Sequence, residues 1–233
     1  MYKLFNTNAY PTRPLVAISA CLAGHAVRYD GTDKTHQLIA EQLLPKIDIV
    51  PLCPEAGAGL GVPRPPVQLV QIDEEMRARG RDNPQLDVTE ALTAFAHAQI
   101  PKLSATPDLC GHIFKSRSPS CGLGSTPVFG VQNQISATGN GLYAGIIASR
   151  LPWLVLCEES QLDSPTACGV FFDKLLLVQS LQLAAGQQEL PAAHQHYDFL
   201  WQKSAAISAL ENFAKHNDWR KYSAELLRIL PEF

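Results

Sequence analysis

A cysteine preceded by serines and basic residues stands in the middle of the chain, within the segment KSRSPSCG at residues 115–122. Its serine and glycine residues favour a loop with many N–H and O–H donors, and Pro119 interrupts any continuous helix or strand. Lys115 and Arg117 lower the free-energy cost of a thiolate at Cys121, because nearby positive charge stabilises it. Such a loop suits an anion, a metal thiolate or a polarised sulfur atom. The alternative is an ordinary surface turn with an incidental cysteine.

Two further cysteines stand where predicted strands end. The apolar run at residues 15–20 predicts a buried strand before Cys21, and residues 47–53 predict a second strand that ends at Cys53. The loop with Cys121 follows a third predicted strand. The carboxyl ends of strands in an open parallel sheet face one crevice, so we expect these three thiols to meet there. Free cysteine is also a common core residue, but a core role does not explain three cysteines at strand exits.

Three thiolates suit two kinds of metal site. One is zinc, with a histidine as the fourth ligand, for which His25 and His112 are the candidates. The other is a [4Fe–4S] cluster on three cysteines, which leaves one iron open to a soft ligand such as sulfur. No CxxC pair is present, so any metal site must be assembled from distant segments. These residues alone leave both metals open.

Composition limits the class of protein. The chain has 233 residues, of which 46% are hydrophobic and 18% charged, and this predicts a folded protein with a substantial core. The net charge of −3 gives no electrostatic argument for nucleic acid or an acidic membrane as the main partner. We find no signal-peptide pattern and no apolar run of the ~18 residues that span a bilayer, and therefore expect a cytoplasmic protein with reduced thiols. Cys110 and Cys157 fall on predicted strands and are expected in the core; Cys168 has no assigned role.

Strand and helix patterns alternate up to about residue 165. This predicts an α/β domain over residues 1–165, an open and mostly parallel sheet with flanking helices of the Rossmann or flavodoxin type. One of its helices is predicted to begin in a capping box, with Asp87 as N-cap and Glu90 at N3. Residues 166–233 read as a helical C-terminal extension. Because this extension is too apolar to stand free, we expect it to cover the α/β core or to form a homodimer contact.

Four segments in this order resemble the signature of one bacterial family. They are SACLxG at residues 19–24, VRYDG at 27–31, CPE through GLGxPRxP at 53–66, and KSRSPSCG at 115–122. The family was long a domain of unknown function, and it includes the thiouracil desulfidases. The resemblance covers about residues 14–160, and it does not extend to the C-terminal helices.

The resemblance implies a cofactor and an activity. A [4Fe–4S] cluster would be held by Cys21, Cys53 and Cys121, and its open iron would take the sulfur of the substrate, which leaves as sulfide. The resemblance also implies a catalytic glutamate and a catalytic serine, which are Glu55 and Ser118 in this chain. A carboxylate near the cluster can act as a general base on water, and a hydroxyl can donate or relay a proton.

Four other polar residues in or near these segments are candidates for substrate binding: Asp30, Arg64, Lys115 and Ser120. Asp30 has an alternative role in shaping an Asp-Gly turn, and Arg64 in pairing with an internal carboxylate. Lys115 and Arg117 can also offset the charge of a thiolate-ligated cluster.

The function expected from these residues is hydrolytic removal of sulfur from a small thiolated heterocycle such as a thiouracil. A second enzyme hypothesis is desulfuration of thiolated nucleosides, or sulfur transfer to RNA; the lack of a basic tract counts against a large RNA. A third hypothesis is a cluster-bearing sensor without enzyme activity that signals through the C-terminal helices.

Overall fold

The structure is a computed structural model that describes residues 12–130, 133–191, 194 and 207–230. In chain order the strands are β1 (Leu15–Ser19), β2 (Asp48–Leu52), β3 (Val67–Ile72), β4 (Glu75–Gly80), β5 (Leu109–Phe114), β6 (Thr126–Phe129), β7 (Ile135–Gly139) and β8 (Val155–Glu158). The α-helices are α1 (Pro54–Gly57), α2 (Thr89–Ala105), α3 (Leu142–Arg150), α4 (Pro165–Gly186), α5 (Ile207–Lys215) and α6 (Trp219–Ile229).

Four strands form a parallel sheet in the order β2-β1-β5-β8. All six residues of β5 are buried, which agrees with a central position between helices. Strand β2 lies at the edge, where Pro51 is tolerated because an edge strand can do without one N–H donor. The chain passes from β1 to β2 on one side and later returns to β5 on the other. The carboxyl ends of β1 and β5 therefore border a topological switch point.

Helices cover both faces of the parallel sheet. On one face Val16 and Ile18 pack with Phe171 and Leu175 of α4, and on the other face Ala17 packs with residues of α2 and α3. The alternation along β1 is the period of two that a strand between two helical layers requires. This arrangement confirms the predicted α/β fold with flanking helices.

A second sheet of four strands has the order β4-β3-β6-β7; in the sequence, β3 and β4 lie between β2 and β5, and β6 and β7 lie between β5 and β8. Strands β3 and β4 form an antiparallel hairpin, and β6 and β7 form a second antiparallel pair that was not predicted. The predicted capping box at Asp87 is wrong, because α2 begins at Thr89 with Val88 as N-cap. Asp87 instead accepts hydrogen bonds from Arg77 Nε at 2.7 Å and from the Thr89 N–H at 3.0 Å. Arg77 and Arg79 of β4 bind Oδ2 of Asp87, while Oδ1 accepts from the first residue of α2.

Helix α4 is long and apolar enough to span a membrane by length and composition, contrary to the expectation that no such run exists. In this structure it packs against the parallel sheet, and Phe171, Leu175 and Val178 are fully buried. Gly111 on β5 allows this close approach, since a Cβ atom there would lie 2.6 Å from Leu175 Cδ2. Helix α4 is thus a core helix of the fold.

The last two described helices pack on the far end of α4. Leu177 and Leu181 of α4 share a hydrophobic cluster with Leu210 of α5 and with Tyr222 and Leu226 of α6. The extension therefore covers the core, as expected. A domain boundary at residue 165 and a homodimer contact remain predictions. Within the predicted helical extension, residues 192–193, 195–206 and 231–233 lie outside the described residues.

Candidate active site

A cavity of about 420 Å³ opens at the carboxyl ends of the parallel strands. Cys21, Cys53 and Cys121 all line it, as the strand-end argument predicts. Its other lining residues used below are Arg28, Lys34, Glu55, Arg64, Arg81, Lys115, Ser116, Arg117 and Ser118. We call this space the active-site cavity.

Each of the three cysteines is delivered by a different turn. Cys21 lies in a 3₁₀ turn directly after β1, and Gly24 ends this turn in the left-handed conformation with φ of 88°. Cys53 follows β2 directly and is the N-cap of α1. Cys121 lies in the segment 115–125, which we call the serine-rich loop. Three strands of one parallel sheet thus bring together thiols that are up to 100 residues apart in sequence.

The serine-rich loop is seated on the first turn of α3. The Gly141 N–H donates to the Gly122 carbonyl at 2.7 Å, and the Ala144 N–H donates to the Ser120 carbonyl at 3.0 Å. These bonds satisfy N–H groups that a helix N-terminus otherwise leaves without partners. A Cβ atom at Gly141 would lie 2.5 Å from the carbonyl carbon of Ser120, so only glycine allows this contact.

Burial controls the protonation of the cavity thiols. It raises the pKa of Cys21 to about 11, although the positive charges of Arg28 and Lys115 oppose the shift. Burial also raises the pKa of Cys121 well above its usual range, and a hydrogen bond from Ser19 opposes this. The metal-free thiols of Cys21 and Cys121 are therefore protonated at neutral pH, and a metal that binds these two must displace protons.

Glu55 is buried at the edge of the active-site cavity with a donor on each carboxylate oxygen. Arg64 Nε donates to Oε2 at 2.8 Å, and Ser120 Oγ donates to Oε1 at 2.9 Å. A carboxylate oxygen has two acceptor positions, so each oxygen keeps one for a water molecule. Arg64 also donates to the carbonyls of Val27 at 3.0 Å and Gly61 at 2.9 Å. Arg64 thus pairs with an internal carboxylate, the alternative role considered for it, and it also lines the cavity.

Ser118 lines the active-site cavity, and its hydroxyl oxygen organises the loop around it. Ser118 Oγ accepts hydrogen bonds from the N–H groups of Cys121 at 3.1 Å and Ser120 at 3.3 Å. Among the described residues the Ser118 hydroxyl has no hydrogen-bond acceptor, so its proton is available to a bound molecule. This leaves Ser118 able to donate a proton toward the cavity.

The remaining substrate-binding candidates take three different positions. Lys115 lines the cavity, and its Nζ contacts Glu159 Oε1 at 2.5 Å. Ser120 is fully buried behind the cavity wall, where it supports Glu55. Asp30 is exposed, does not line the cavity, and accepts hydrogen bonds from the N–H and hydroxyl of Thr32. Asp30 therefore shapes its own turn.

Two residues that support this site, Glu158 and Glu159, were not predicted from the sequence. Both are buried at the end of β8, and both accept hydrogen bonds from the serine-rich loop. Their signal was available in the sequence, where two consecutive acids directly follow the apolar run at residues 153–157. A charged residue at the carboxyl end of a parallel strand belongs to the same crevice as the cysteines.

The two histidines proposed as zinc ligands do not line the active-site cavity. His112 is fully buried, stacks on Phe114 with ring centroids 3.9 Å apart, and lies 3.1 Å from the Tyr143 hydroxyl. His25 is exposed. Among the described residues, no group of three or more His, Cys, Asp or Glu side chains is arranged around a single metal ion. The structure therefore gives the zinc alternative no support.

The residues of the cavity do fit an iron–sulfur cluster. Thiolates are the ligands that such clusters take, and the three cysteines that line this cavity can supply them. A cluster of four iron atoms is larger than one ion, so its ligands lie further apart than those of zinc. The buried Nε of Arg28 has no hydrogen-bond partner in the described structure and adds positive charge near Cys21. Cys110, Cys157 and Cys168 are buried elsewhere in the core, as expected for the first two.

Comparisons with known proteins agree with this site. A solved structure of the [4Fe–4S]-dependent thiouracil desulfidase TudS is 26% identical in sequence, with a TM-score of 0.50, and the match covers 72% of this chain and 99% of that one. No curated protein matches the chain. The family model described as 2-thiouracil desulfurase matches residues 16–159, more than half of the chain, and this range contains the three cavity cysteines, Glu55 and Ser118. The chain therefore belongs to the 2-thiouracil desulfurase family, as the resemblance of its motifs predicted.

Proposed function

We propose that this protein is a [4Fe–4S]-dependent desulfidase that removes sulfur from a thiolated heterocycle such as thiouracil. The observation that carries the proposal is the convergence of Cys21, Cys53 and Cys121 on one cavity that Glu55 and Ser118 also line. The three cysteines would hold the cluster, which when bound supplies a Lewis-acidic iron for the sulfur of the substrate. Family membership and the TudS likeness support this cofactor.

Glu55 would act as the general base of the reaction. Its carboxylate is fixed by Arg64 and Ser120 and keeps acceptor positions for water. In the reaction, Glu55 takes one proton from water, and the water oxygen bonds to the thiocarbonyl carbon. The carbon–sulfur bond then breaks, and the carbonyl product forms. No electron donor or acceptor is needed, because sulfur leaves as sulfide with the two protons that water supplied.

Ser118 would donate or relay a proton to the bound substrate in the same reaction. Its hydroxyl faces the cavity, and its oxygen is held by two backbone N–H groups, which fixes the direction of its proton. Lys115 and Arg64 also line the cavity, where they can contact polar atoms of the heterocycle. Ser120 would act on the substrate through Glu55, because it is fully buried.

The test is turnover by protein that is reconstituted with iron and sulfide without oxygen. We expect 2-thiouracil or 4-thiouracil to give uracil and sulfide in equal amounts, with no added reductant. Loss of thiouracil without uracil, or a need for an electron donor, would contradict hydrolytic desulfidation. A fully loaded protein that leaves every thiolated pyrimidine unchanged would instead favour the sensor hypothesis.

A second candidate substrate class is a thiolated nucleotide, and the charge of the cavity favours it. Six basic residues line the cavity, although the chain as a whole carries a net charge of −3. Arg64 and Lys115 are paired with Glu55 and Glu159. Arg28 and Arg81 also have acidic partners, Asp30 at 3.6 Å and Asp82 at 3.2 Å. Lys34 and Arg117 have no ion-pair partner among the described residues and remain for an anionic group such as phosphate.

The two substrate classes can be separated by comparing kcat/KM for 4-thiouracil, 4-thiouridine and 4-thiouridine monophosphate. If the cavity recognises phosphate, the monophosphate is preferred, and Lys34→Gln reduces that preference without changing kcat/KM for 4-thiouracil. Arg228→Gln, an exposed change on α6, is the matched control. Equal kcat/KM values for the three compounds would restrict the function to the free base.

A further inference from the structure

Two consecutive glutamates at the end of β8 lie beneath the serine-rich loop. Glu158 is 5% exposed and Glu159 is 7% exposed. Burying a carboxylate costs several kcal/mol unless donors replace the lost water, so a buried pair in adjacent positions requires a specific set of partners. Most donors to these two carboxylates belong to the serine-rich loop; Ser160 Oγ and the Gln161 N–H donate to Glu158 from outside it.

Glu159 holds the beginning of that loop. Its Oε2 accepts from the Ser116 N–H at 2.5 Å, and its Oε1 accepts from Ser116 Oγ at 2.8 Å and Lys115 Nζ at 2.5 Å. Lys115 Nζ also donates to the Ser116 carbonyl at 3.0 Å. These bonds fix Lys115 and Ser116, the first two residues after β5. Lys115 also lines the active-site cavity.

Glu158 holds the other end. Its Oε1 accepts from the Leu123 N–H at 2.5 Å and from Ser125 Oγ at 2.6 Å, while Ser160 Oγ donates to Oε2 at 3.3 Å. Gln161 completes this arrangement, because its side chain accepts from the Glu158 N–H at 2.9 Å. Cys121 lies two residues before the first of these anchored loop positions.

The two ends are joined through a strained residue. Arg117 has a φ of 57°, a left-handed conformation that costs about 1 kcal/mol or more for a residue with a side chain. Its N–H donates to Ser125 Oγ at 2.8 Å, and the same hydroxyl donates to Glu158. Ser118 comes directly after Arg117. The strained turn that presents Ser118 to the cavity is thus held by Glu158 through Ser125.

We propose that Glu158 and Glu159 are positioning residues, a pair of carboxylates that holds Ser118 and Cys121 at the active-site cavity. The role in catalysis rests on the proposed function, whereas the role in holding the loop does not. Neither glutamate lines the cavity, so neither contacts the substrate. Their effect is on the geometry of the loop, and a displacement of about 1 Å in a catalytic group can lower turnover about 10²-fold.

The first test measures the loop itself, in metal-free full-length protein. Cys121 is 6% exposed and should be alkylated slowly by iodoacetamide in the parent protein. In Glu158→Ala its alkylation rate should rise at least about tenfold, while Cys110 and Cys168 stay protected. Asp87→Ala is the matched control, since it also removes a carboxylate with arginine and N–H partners but belongs to the second sheet. An unchanged Cys121 rate in a folded Glu158→Ala protein overturns the proposal.

A second variant covers the case in which Glu158→Ala does not fold. Ser125→Ala removes the bridge between Arg117 and Glu158 but leaves both buried carboxylates in place. It should raise the Cys121 alkylation rate in the same direction, by a smaller factor. A Ser125→Ala protein with full protection of Cys121 would equally overturn the proposal.

Kinetics on the reconstituted protein then separates positioning from folding. Ser125→Ala should lower kcat by about 10-fold to 10²-fold and change KM less than threefold, with normal iron content and an unchanged melting temperature. Normal kcat in this variant, beside a fully active parent, contradicts the positioning role. If the parent itself releases no sulfide, the proposed function fails, and the alkylation rates still decide whether the carboxylates hold the loop.

Discussion

Ser120 Oγ donates a hydrogen bond to Glu55 Oε1 at 2.9 Å, across 65 positions of the chain. Ser120 is one residue before Cys121, and Glu55 is two residues after Cys53. The bond therefore ties two of the three cysteine turns to each other and orients the proposed base at the same time. Because Ser120 is fully buried, water does not compete for this bond.

The first prediction is that Glu55→Gln separates chemistry from cluster binding. Glutamine keeps an oxygen that can accept from Ser120, but it has no basicity, so turnover should fall by about 10²-fold to 10⁴-fold. Iron content should stay normal, because Glu55 is not one of the three thiol ligands. Iron content and sulfide release are to be measured on the same samples. Ser118→Ala should show the same pattern with a smaller loss.

Two results would contradict that assignment. If iron is lost in proportion to activity in Glu55→Gln, the glutamate is a structural residue of the cavity. If full activity remains, the base lies elsewhere, and among the other predicted residues Asp30 is the remaining carboxylate, although it is exposed and turned toward Thr32.

The second prediction concerns the Arg64–Glu55 ion pair. Their side chains are only 4% and 12% exposed, so Arg64→Met leaves a buried carboxylate without its cation and should reduce the free energy of unfolding by about 3 to 5 kcal/mol. The same change made in Glu55→Gln should cost less, because no buried charge is left behind. Urea denaturation of the two single variants and the double variant gives this coupling. Additive effects would show that Arg64 stabilises the protein mainly through the carbonyls of Val27 and Gly61.

The convergence of the cavity cysteines could be predicted because it depends on strand order alone. A short β-branched run followed by Cys21 or Cys53 identifies a strand and its end, and parallel strands place those ends together. The roles of Glu158 and Glu159 could not be inferred so directly. Their partners lie more than 30 residues away in a loop with no regular pattern, and hydrogen bonds between irregular segments leave no periodic signal.

Two other differences from the sequence-based expectations have local causes. Asp87 and Glu90 have the spacing of a capping box, but α2 begins one residue later than this spacing predicts, with Val88 as N-cap. The Asp87 carboxylate is instead shared between Arg77 and Arg79 of β4 and the Thr89 N–H. Strand β7 was missed because all but one of its five residues are exposed, so it shows no alternation of buried and exposed positions.

The third prediction assigns the metal ligands. Alanine at Cys21, Cys53 or Cys121 should abolish the iron content and the visible absorption of anaerobically reconstituted protein. Cys157→Ala is the matched control, because Cys157 is also fully buried but lies in the core away from the cavity. Full iron loading in Cys121→Ala would remove this cysteine from the ligand set and leave the serine-rich loop without a metal role.

The fourth prediction is that the α/β portion does not fold stably without α4. Deletion of residues 166–233 exposes the sheet face that Phe171, Leu175 and Val178 cover. We expect aggregation or a large loss of stability, measured by solubility and by thermal unfolding. A shorter deletion that begins after α4 should be tolerated better, since it keeps α4 and removes only the helices around Tyr222 and Leu226. A soluble monomer of unchanged stability after the longer deletion would refute the core role of α4.

The fifth prediction uses His112 as a source of acid sensitivity. Burial lowers the pKa of His112 to about 3, so its neutral form is retained in the folded protein, where it lies 3.1 Å from the Tyr143 hydroxyl. The unfolded chain takes up this proton at pH values below about 6.5, whereas the folded chain does not until about pH 3. Stability from this residue is therefore present above pH 6.5 and is lost as the pH falls toward 3, by up to about 1.4 kcal/mol for each pH unit.

His112→Gln removes the titrating group and keeps a side chain that can hydrogen-bond to Tyr143. The variant should be less stable than the parent at pH 7, because the stacking on Phe114 is lost, but its stability should fall less steeply between pH 6 and pH 4. The measurement is the free energy of unfolding in urea at several pH values, on metal-free protein. His97→Gln, on the exposed side of α2, is the control and should follow the parent at every pH. Parallel curves for the parent and His112→Gln would mean that the acid sensitivity comes from other groups.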